Sequence, residues 1–110
     1  RARFDHVLVD EVQDLNPLQW RIVEALRPGG AGVTAVGDDA QAIYGFRGAD
    51  VAGMLGFPAR CTPPAAVRLL TRNHRSTPQI VAAGNAVMAQ VRERFAKTLT
   101  SPRPDGPRPT

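Results

Sequence analysis

Two successive carboxylates, Asp10 and Glu11, close a run rich in apolar and β-branched residues, Phe4 to Val9. In open α/β sheets, ligands bind beyond the carboxyl ends of the strands. Acids at such a place are candidates for phosphate and metal chemistry. In a Walker-B-type pair, the first carboxylate holds Mg2+ beside nucleotide phosphates, directly or through water. The second orients or deprotonates the attacking water. Magnesium takes hard oxygen ligands, which suits adjacent acids better than His or Cys. Side chains alternate along a strand, so the two acids can serve different tasks. Two other readings of the same residues stand beside this one. Asp10, Glu11 and Asp14 can form a solvated strand exit that helps cap the next helix. Alternatively, Asp10, Glu11, Asp14, Asp38 and Asp39 can cluster as a two-metal nuclease site. The spacing permits all three.

The elements that position these acids are legible from periodicity and punctuation. Phe4 to Val9 has the pattern of a short strand buried on both faces, as in a parallel sheet. Asn16-Pro17 reads as an N-cap followed by proline in the first turn. Leu18, Ile22, Val23 and Leu26 give a helical apolar stripe that Pro28-Gly29-Gly30 ends. Val33 to Val36 is a second buried strand, closed by Gly37-Asp38-Asp39. Strand, helix, strand at this spacing predicts a βαβ unit with parallel strands and a right-handed crossover.

A glycine-punctuated loop, Gly37 to Gly48, leads to a helical pattern from about Ala49 to Phe57. Pro58 and Thr62-Pro63-Pro64 mark a connector. Val67 to Leu70 is expected as a third strand. Ser76 or Thr77 caps a last helix whose stripe is Ile80, Val81, Val87, Met88 and Val91. From Ser101 the chain is proline-rich and cannot bury a core of its own.

Composition narrows the class. The 110 residues suffice for one small domain or part of a larger one, and 43% are hydrophobic, an ordinary globular share. No apolar run approaches the roughly 20 residues of a membrane helix, which points to a soluble, cytoplasmic protein with no membrane partner. A single cysteine, Cys61, excludes an intrachain disulfide and a thiol zinc site, and is expected as a buried or incidental thiol. The charge of +4 would attract a phosphate backbone. Lys97 is the only lysine among the 14 basic residues, and arginine suits phosphate contacts and base stacking.

Three stretches together carry a resemblance. Asp10-Glu11-Val12-Gln13-Asp14 resembles helicase motif II of the UvrD/Rep (PcrA-type) branch of superfamily 1, whose pattern is Asp-Glu-x-Gln-Asp. Gly37-Asp38-Asp39-Ala40-Gln41-Ala42-Ile43-Tyr44-Gly45-Phe46-Arg47-Gly48-Ala49 is similar to that family's motif III. Asn73-His74-Arg75-Ser76 resembles its motif IV. The order and approximate spacing are the family's.

The resemblance implies an α/β fold, part of a RecA-like (P-loop NTPase) parallel sheet with flanking helices. Residues 1–72 would be the C-terminal part of the first RecA-like motor domain. Residues 73–100 would hold motif IV and the helix leading towards the second, with 101–110 a tail disordered in isolation. It implies an ATP-dependent helicase that moves 3′ to 5′ on single-stranded DNA and acts at DNA junctions, with ATP and Mg2+ as cofactors. Asp10 and Glu11 would bind the metal, with Glu11 as catalytic base. Gln41 would sense the γ-phosphate and couple hydrolysis to the DNA site, and Arg75 would reach the γ-phosphate. Gln13 and His74 join Asp10, Gln41 and Arg75 among the nucleotide-binding residues. Tyr44, Phe46 and Arg47 lie where the family contacts DNA, with an aromatic ring stacking on bases in a way indifferent to sequence.

Two positions depart from the family pattern. Phe46 replaces the common tryptophan, and His74 stands where a tyrosine usually stacks on adenine. Trp20, outside the motifs, is expected in the core.

No Gly-x-x-x-x-Gly-Lys-Ser/Thr loop occurs in the 110 residues. Such a loop supplies the amides and the lysine that cradle phosphates. The expectation is therefore a motor fragment, inactive alone, that needs the remainder of a helicase chain. The alternatives are a non-catalytic single-strand-binding or interaction module, or part of a RecB/AddA-like helicase–nuclease.

Overall fold

The computed structural model describes residues 4–45, 48–92 and 94–109. They divide into two compact units, one ending at Val67 and one starting at Arg68.

In the first unit, β1 (Val7–Val9) pairs in parallel with β2 (Val33–Ala35), Val7 opposite Val33 and Val9 opposite Ala35. The parallel order expected from the strand–helix–strand spacing is the one found. Helix α1 (Pro17–Leu26) connects them. Its start is a reciprocal capping box. The Asn16 side chain accepts from the Gln19 amide, and the Gln19 side chain accepts from the Asn16 amide, both at 2.9 Å. Two orphan N–H groups are thus satisfied at the helix end. Beyond α1, Arg27 donates to the Ala31 and Phe4 carbonyls at 2.6 and 2.9 Å, tying the turn to the segment that enters β1.

Helix α2 (Val51–Arg60) is capped by Asp50, whose carboxylate accepts from the Ala52 amide at 2.9 Å. The sequence placed its end at Phe57, with Pro58 as breaker, but the helix continues through Pro58 to Arg60. A proline in the last turn forfeits one donor while its fixed φ remains helical.

The core forms where these helices meet the sheet. Val12, Trp20, Phe57 and Cys61 are buried together, with Val9, Leu15, Val33, Ala35, Met54 and Ala65 packed around them. Trp20 and Phe57 stack at 5.2 Å, and Arg60 lies over the indole at 5.4 Å while pairing with Glu24 at 3.1 Å. Gly53 makes room for the ring, since a Cβ there would stand 2.4 Å from Trp20 Nε1. Trp20 and Cys61 are core residues, as their types suggested.

The second unit holds α3 (Pro78–Met88). Of its expected apolar stripe only Val81 is buried, while Ile80, Val87 and Val91 are exposed. The third strand expected at Val67–Leu70 is not formed. A strand needs a partner ladder, and Leu70 is 86% exposed. The nearest pairing is an isolated parallel bridge between Arg72 and Thr100. Side chains hold the rest of the unit. Asn85 donates to the Leu99 carbonyl and accepts from its amide, at 2.9 and 3.0 Å. Ser101 donates to the Ser76 carbonyl at 2.6 Å, and Gln79 accepts from the Gly106 amide at 2.9 Å. No helix of the described residues is long and apolar enough to cross a membrane.

Candidate functional site

The chain leaving β1 folds against the chain leaving β2. The Val36 amide donates to the Val9 carbonyl at 2.8 Å, and the Val12 amide donates to the Val36 carbonyl at 3.1 Å. Asp10 and Glu11 occupy the step between those two bonds, both exposed. Glu11 turns the chain with φ 51° and ψ 42°, the only non-glycine residue with positive φ among the described residues. The left-handed conformation costs an L-residue about 1–2 kcal/mol, and strain of this kind concentrates at functional sites. The Glu11 amide donates to Asp10 Oδ1 at 2.8 Å, which helps hold the turn.

A 3-10 turn, Val12–Asp14, follows and buries Val12 and Gln13. Gln13 is 2% exposed. Its Nε2 donates to Glu11 Oε2 at 2.7 Å, and its Oε1 accepts from the Asp38 amide at 3.0 Å. Asp38 caps a second 3-10 turn, Asp39–Gln41. Its Oδ1 accepts from the Ala40 amide at 3.1 Å, and its Oδ2 accepts from Gln41 Nε2 at 3.0 Å. A hydrogen-bonded path therefore runs Glu11, Gln13, Asp38, Gln41 across the ends of both strands. Gly37 is required beside it. A Cβ at that position would lie 2.6 Å from Gln13 Oε1 and 2.8 Å from Val12 Cγ2.

The sequence-expected residues fall into two groups. Asp10, Glu11, Gln13 and Gln41 come together at one end of the parallel pair. Tyr44, exposed, follows Gln41 on the same loop, and its carbonyl accepts from the Ala49 amide at 3.4 Å. Phe46 and Arg47 lie outside the described residues. His74 and Arg75 belong to the second unit, where both are exposed. There Asn73 Oδ1 accepts from the amides of Arg75 and Ser76, each at 2.8 Å, and the Arg75 carbonyl accepts from Arg103 Nη1 at 2.6 Å. Sequence reasoning missed Asp38 as the bridge to Gln41. Its signal was available: a carboxylate placed directly after a glycine that ends a strand.

The donor chemistry discriminates among ligands. Among the described residues, no group of three or more His, Cys, Asp or Glu could hold a metal ion. The nuclease alternative requires such a cluster of acids. Mg2+ at a phosphate site is commonly held by one or two carboxylates, with water and substrate phosphate completing the shell. The exposed Asp10–Glu11 pair fits that demand.

A family model described as the UvrD/REP helicase N-terminal domain matches residues 1–62. The chain belongs to this family. The matched range includes Asp10–Asp14 and Gly37–Ala49 and stops short of Asn73–Ser76. Among UvrD/REP relatives, the chain is 40% identical over 105 residues to a putative ATP-dependent DNA helicase, YjcD, of Bacillus subtilis. It is 42% identical over 111 residues to the ATP-dependent DNA helicase UvrD2 of Mycobacterium tuberculosis. It is 40% identical over 106 residues to DNA helicase II of Escherichia coli. These alignments cover 96–98% of this chain but only 14–16% of each relative. The homologues are ATP-dependent DNA helicases by name, which sets the enzyme class at the level of the family.

Proposed function

We propose that these residues are the metal-and-water half of the ATP site in a 3′–5′ DNA helicase, together with the loop that carries the site's state to single-stranded DNA. In this reading β1 and β2 belong to a RecA-like sheet, and the three stretches are motifs II, III and IV. The observation that carries it is the hydrogen-bonded path from Glu11 to Gln41. A strand-end acid pair alone is ambiguous, whereas one linked through Gln13 and Asp38 to a glutamine on the neighbouring strand's exit has the parts of a hydrolytic sensor.

Within this reading Asp10 would hold Mg2+, with Glu11 contributing to the metal site. When bound, the ion supplies charge that stabilises the transferring phosphoryl group. Glu11 takes the proton of the attacking water, its carboxylate held by the hydrogen bond from Gln13 Nε2. Gln41 reads the γ-phosphate, and Tyr44, Phe46 and Arg47 on the same loop contact the DNA strand. His74 stacks on the base of the nucleotide, and Arg75 adds positive charge at the γ-phosphate. Arginines in that role are worth roughly 10³ to 10⁵ in rate. Phosphate cradling needs amides and a lysine that these 110 residues do not offer in a Gly-Lys-Ser/Thr loop. Turnover is accordingly a property of a longer polypeptide.

The test is a pair of turnover assays. In a polypeptide joining this segment to a phosphate-binding loop, Glu11→Gln should lower DNA-stimulated ATP hydrolysis roughly 10²- to 10⁴-fold, the range of a general base. Turnover kept within threefold would sink the reading. The 110 residues alone should show none, and robust hydrolysis abolished by Glu11→Gln would overturn the need for more chain.

A further inference from the structure

We propose that Gln13 is a positioning residue that transmits the state of the Glu11 carboxylate to Gln41 through Asp38. The inference rests on the hydrolytic reading of Glu11 and Gln41. It adds a physical route between them that passes through no ligand.

Three observations carry it. First, the two ends of one planar amide are divided between the two strand exits. Nε2 donates to Glu11 Oε2 at 2.7 Å, and Oε1 accepts from the Asp38 amide at 3.0 Å. A side-chain amide offers a donor and an acceptor side by side, whereas an ionised carboxylate cannot donate and an ammonium cannot accept. The opposite amide orientation would set oxygen against carboxylate oxygen and N–H against N–H, so the network fixes the assignment.

Second, Gln13 is 2% exposed, so water cannot readily replace either partner. The two bonds of Gln13 are part-buried and the Asp38–Gln41 bond is exposed. Hydrogen bonds in series polarise one another, so a charge change at Glu11 is felt at the Asp38 amide. Gly37 keeps the passage clear, because a Cβ there would press on both Gln13 Oε1 and Val12. Third, Asp38 passes the signal on at a single residue. Its amide is held by Gln13, and its carboxylate holds Gln41 Nε2 at 3.0 Å while capping the turn that carries Gln41. Moving the Glu11 carboxylate pulls on Gln13, shifts the Asp38 amide and redirects Gln41 with the start of the Tyr44 loop.

NMR of the isotopically labelled 110-residue chain tests the route without nucleotide or metal. Glu11→Gln removes the charge that Gln13 Nε2 faces. It should shift the Gln13 side-chain amide, the Asp38 backbone amide and the Gln41 side-chain amide, leaving amides of α3 unmoved. With Gln13→Met, close in volume but unable to hydrogen-bond, the same Glu11→Gln change should no longer reach Asp38 or Gln41. With Asp38→Ala, which keeps the backbone amide but removes the carboxylate that holds Gln41, the response should survive at the residue 38 backbone amide and fade at Gln41. A Gln41 response that persists with Gln13→Met, or that never occurs with Gln13 intact, overturns the proposal.

Kinetics in the longer polypeptide read the same route differently. Gln13→Met should lower kcat about tenfold, the scale of mutations along a coupling network, with KM for ATP within twofold. Combined with Gln41→Ala it should cost no more than Gln41→Ala alone, because both cut one path. Additive losses would assign Gln13 a purely structural role and end the proposal. Absent turnover in the unmutated polypeptide would instead count against the hydrolytic reading, while the NMR shifts would still decide the route.

Discussion

Glu11 pays a backbone penalty that its position in the sequence does not announce. At φ 51° a Cβ is crowded, whereas glycine adopts this conformation freely. Comparing Glu11→Ala with Glu11→Gly isolates the strain, since both lose the carboxylate and its bond to Gln13. Glu11→Gly should be the more stable of the two by about 1 kcal/mol in urea denaturation; equal midpoints would mean that the left-handed turn relaxes once the side chain is gone. Gly37 poses the converse case, where space and not φ is limiting. Gly37→Ala should destabilise by about 1–3 kcal/mol, as overpacking does, because Gln13 and Val12 are both buried and cannot step aside. The same substitution should move the Gln13 side-chain amide resonances, and an unshifted spectrum would show that the neighbours absorb the methyl. The acids themselves were legible in the sequence, because a strand end marks them. The Gln13–Asp38 bond joins residues 25 apart and depends on strand register, which residue types alone do not specify.

At the scale of elements, what the sequence states locally is what the fold reproduces. Asn16-Pro17 and the Pro28-Gly29-Gly30 break lie within a few residues of the groups they satisfy, so α1 has the ends its sequence implies. Asn16→Ala removes the acceptor for the Gln19 amide and should cost about 1 kcal/mol. Asn16→Ser should recover most of that loss; if both variants melt with the parent chain, the capping box contributes nothing measurable. Features that depend on a distant partner were the ones misjudged. Val67–Leu70 has strand composition but no ladder to join, and α3 has an apolar stripe of which only Val81 is covered. Pro58 misled in the other direction, because its effect depends on how many turns of helix follow it.

At the scale of the whole molecule, few apolar side chains are buried among the described residues. Among the described residues the buried hydrophobic set is Val12, Trp20, Val23, Phe57, Cys61 and Val81, while Leu8 at the centre of β1 is 79% exposed. Leu18, Ile22 and Leu26 on α1 are exposed as well. The two-stranded sheet leaves the outer edges of β1 and β2 without a ladder partner among the described residues. Uncovered strand edges and apolar patches promote pairing between chains. Sedimentation of the 110 residues should therefore show self-association that grows with concentration. Leu8→Thr keeps β-propensity while removing apolar surface, so it should shift the population towards monomer without lowering the melting temperature. High salt separates the possible causes. Association driven by apolar contact holds or strengthens, whereas association driven by charge weakens as screening increases. A parent chain that stays monomeric at all concentrations, with one sharp cooperative melt, would mean that the small core around Trp20 and Phe57 suffices and that the exposed leucines carry no association.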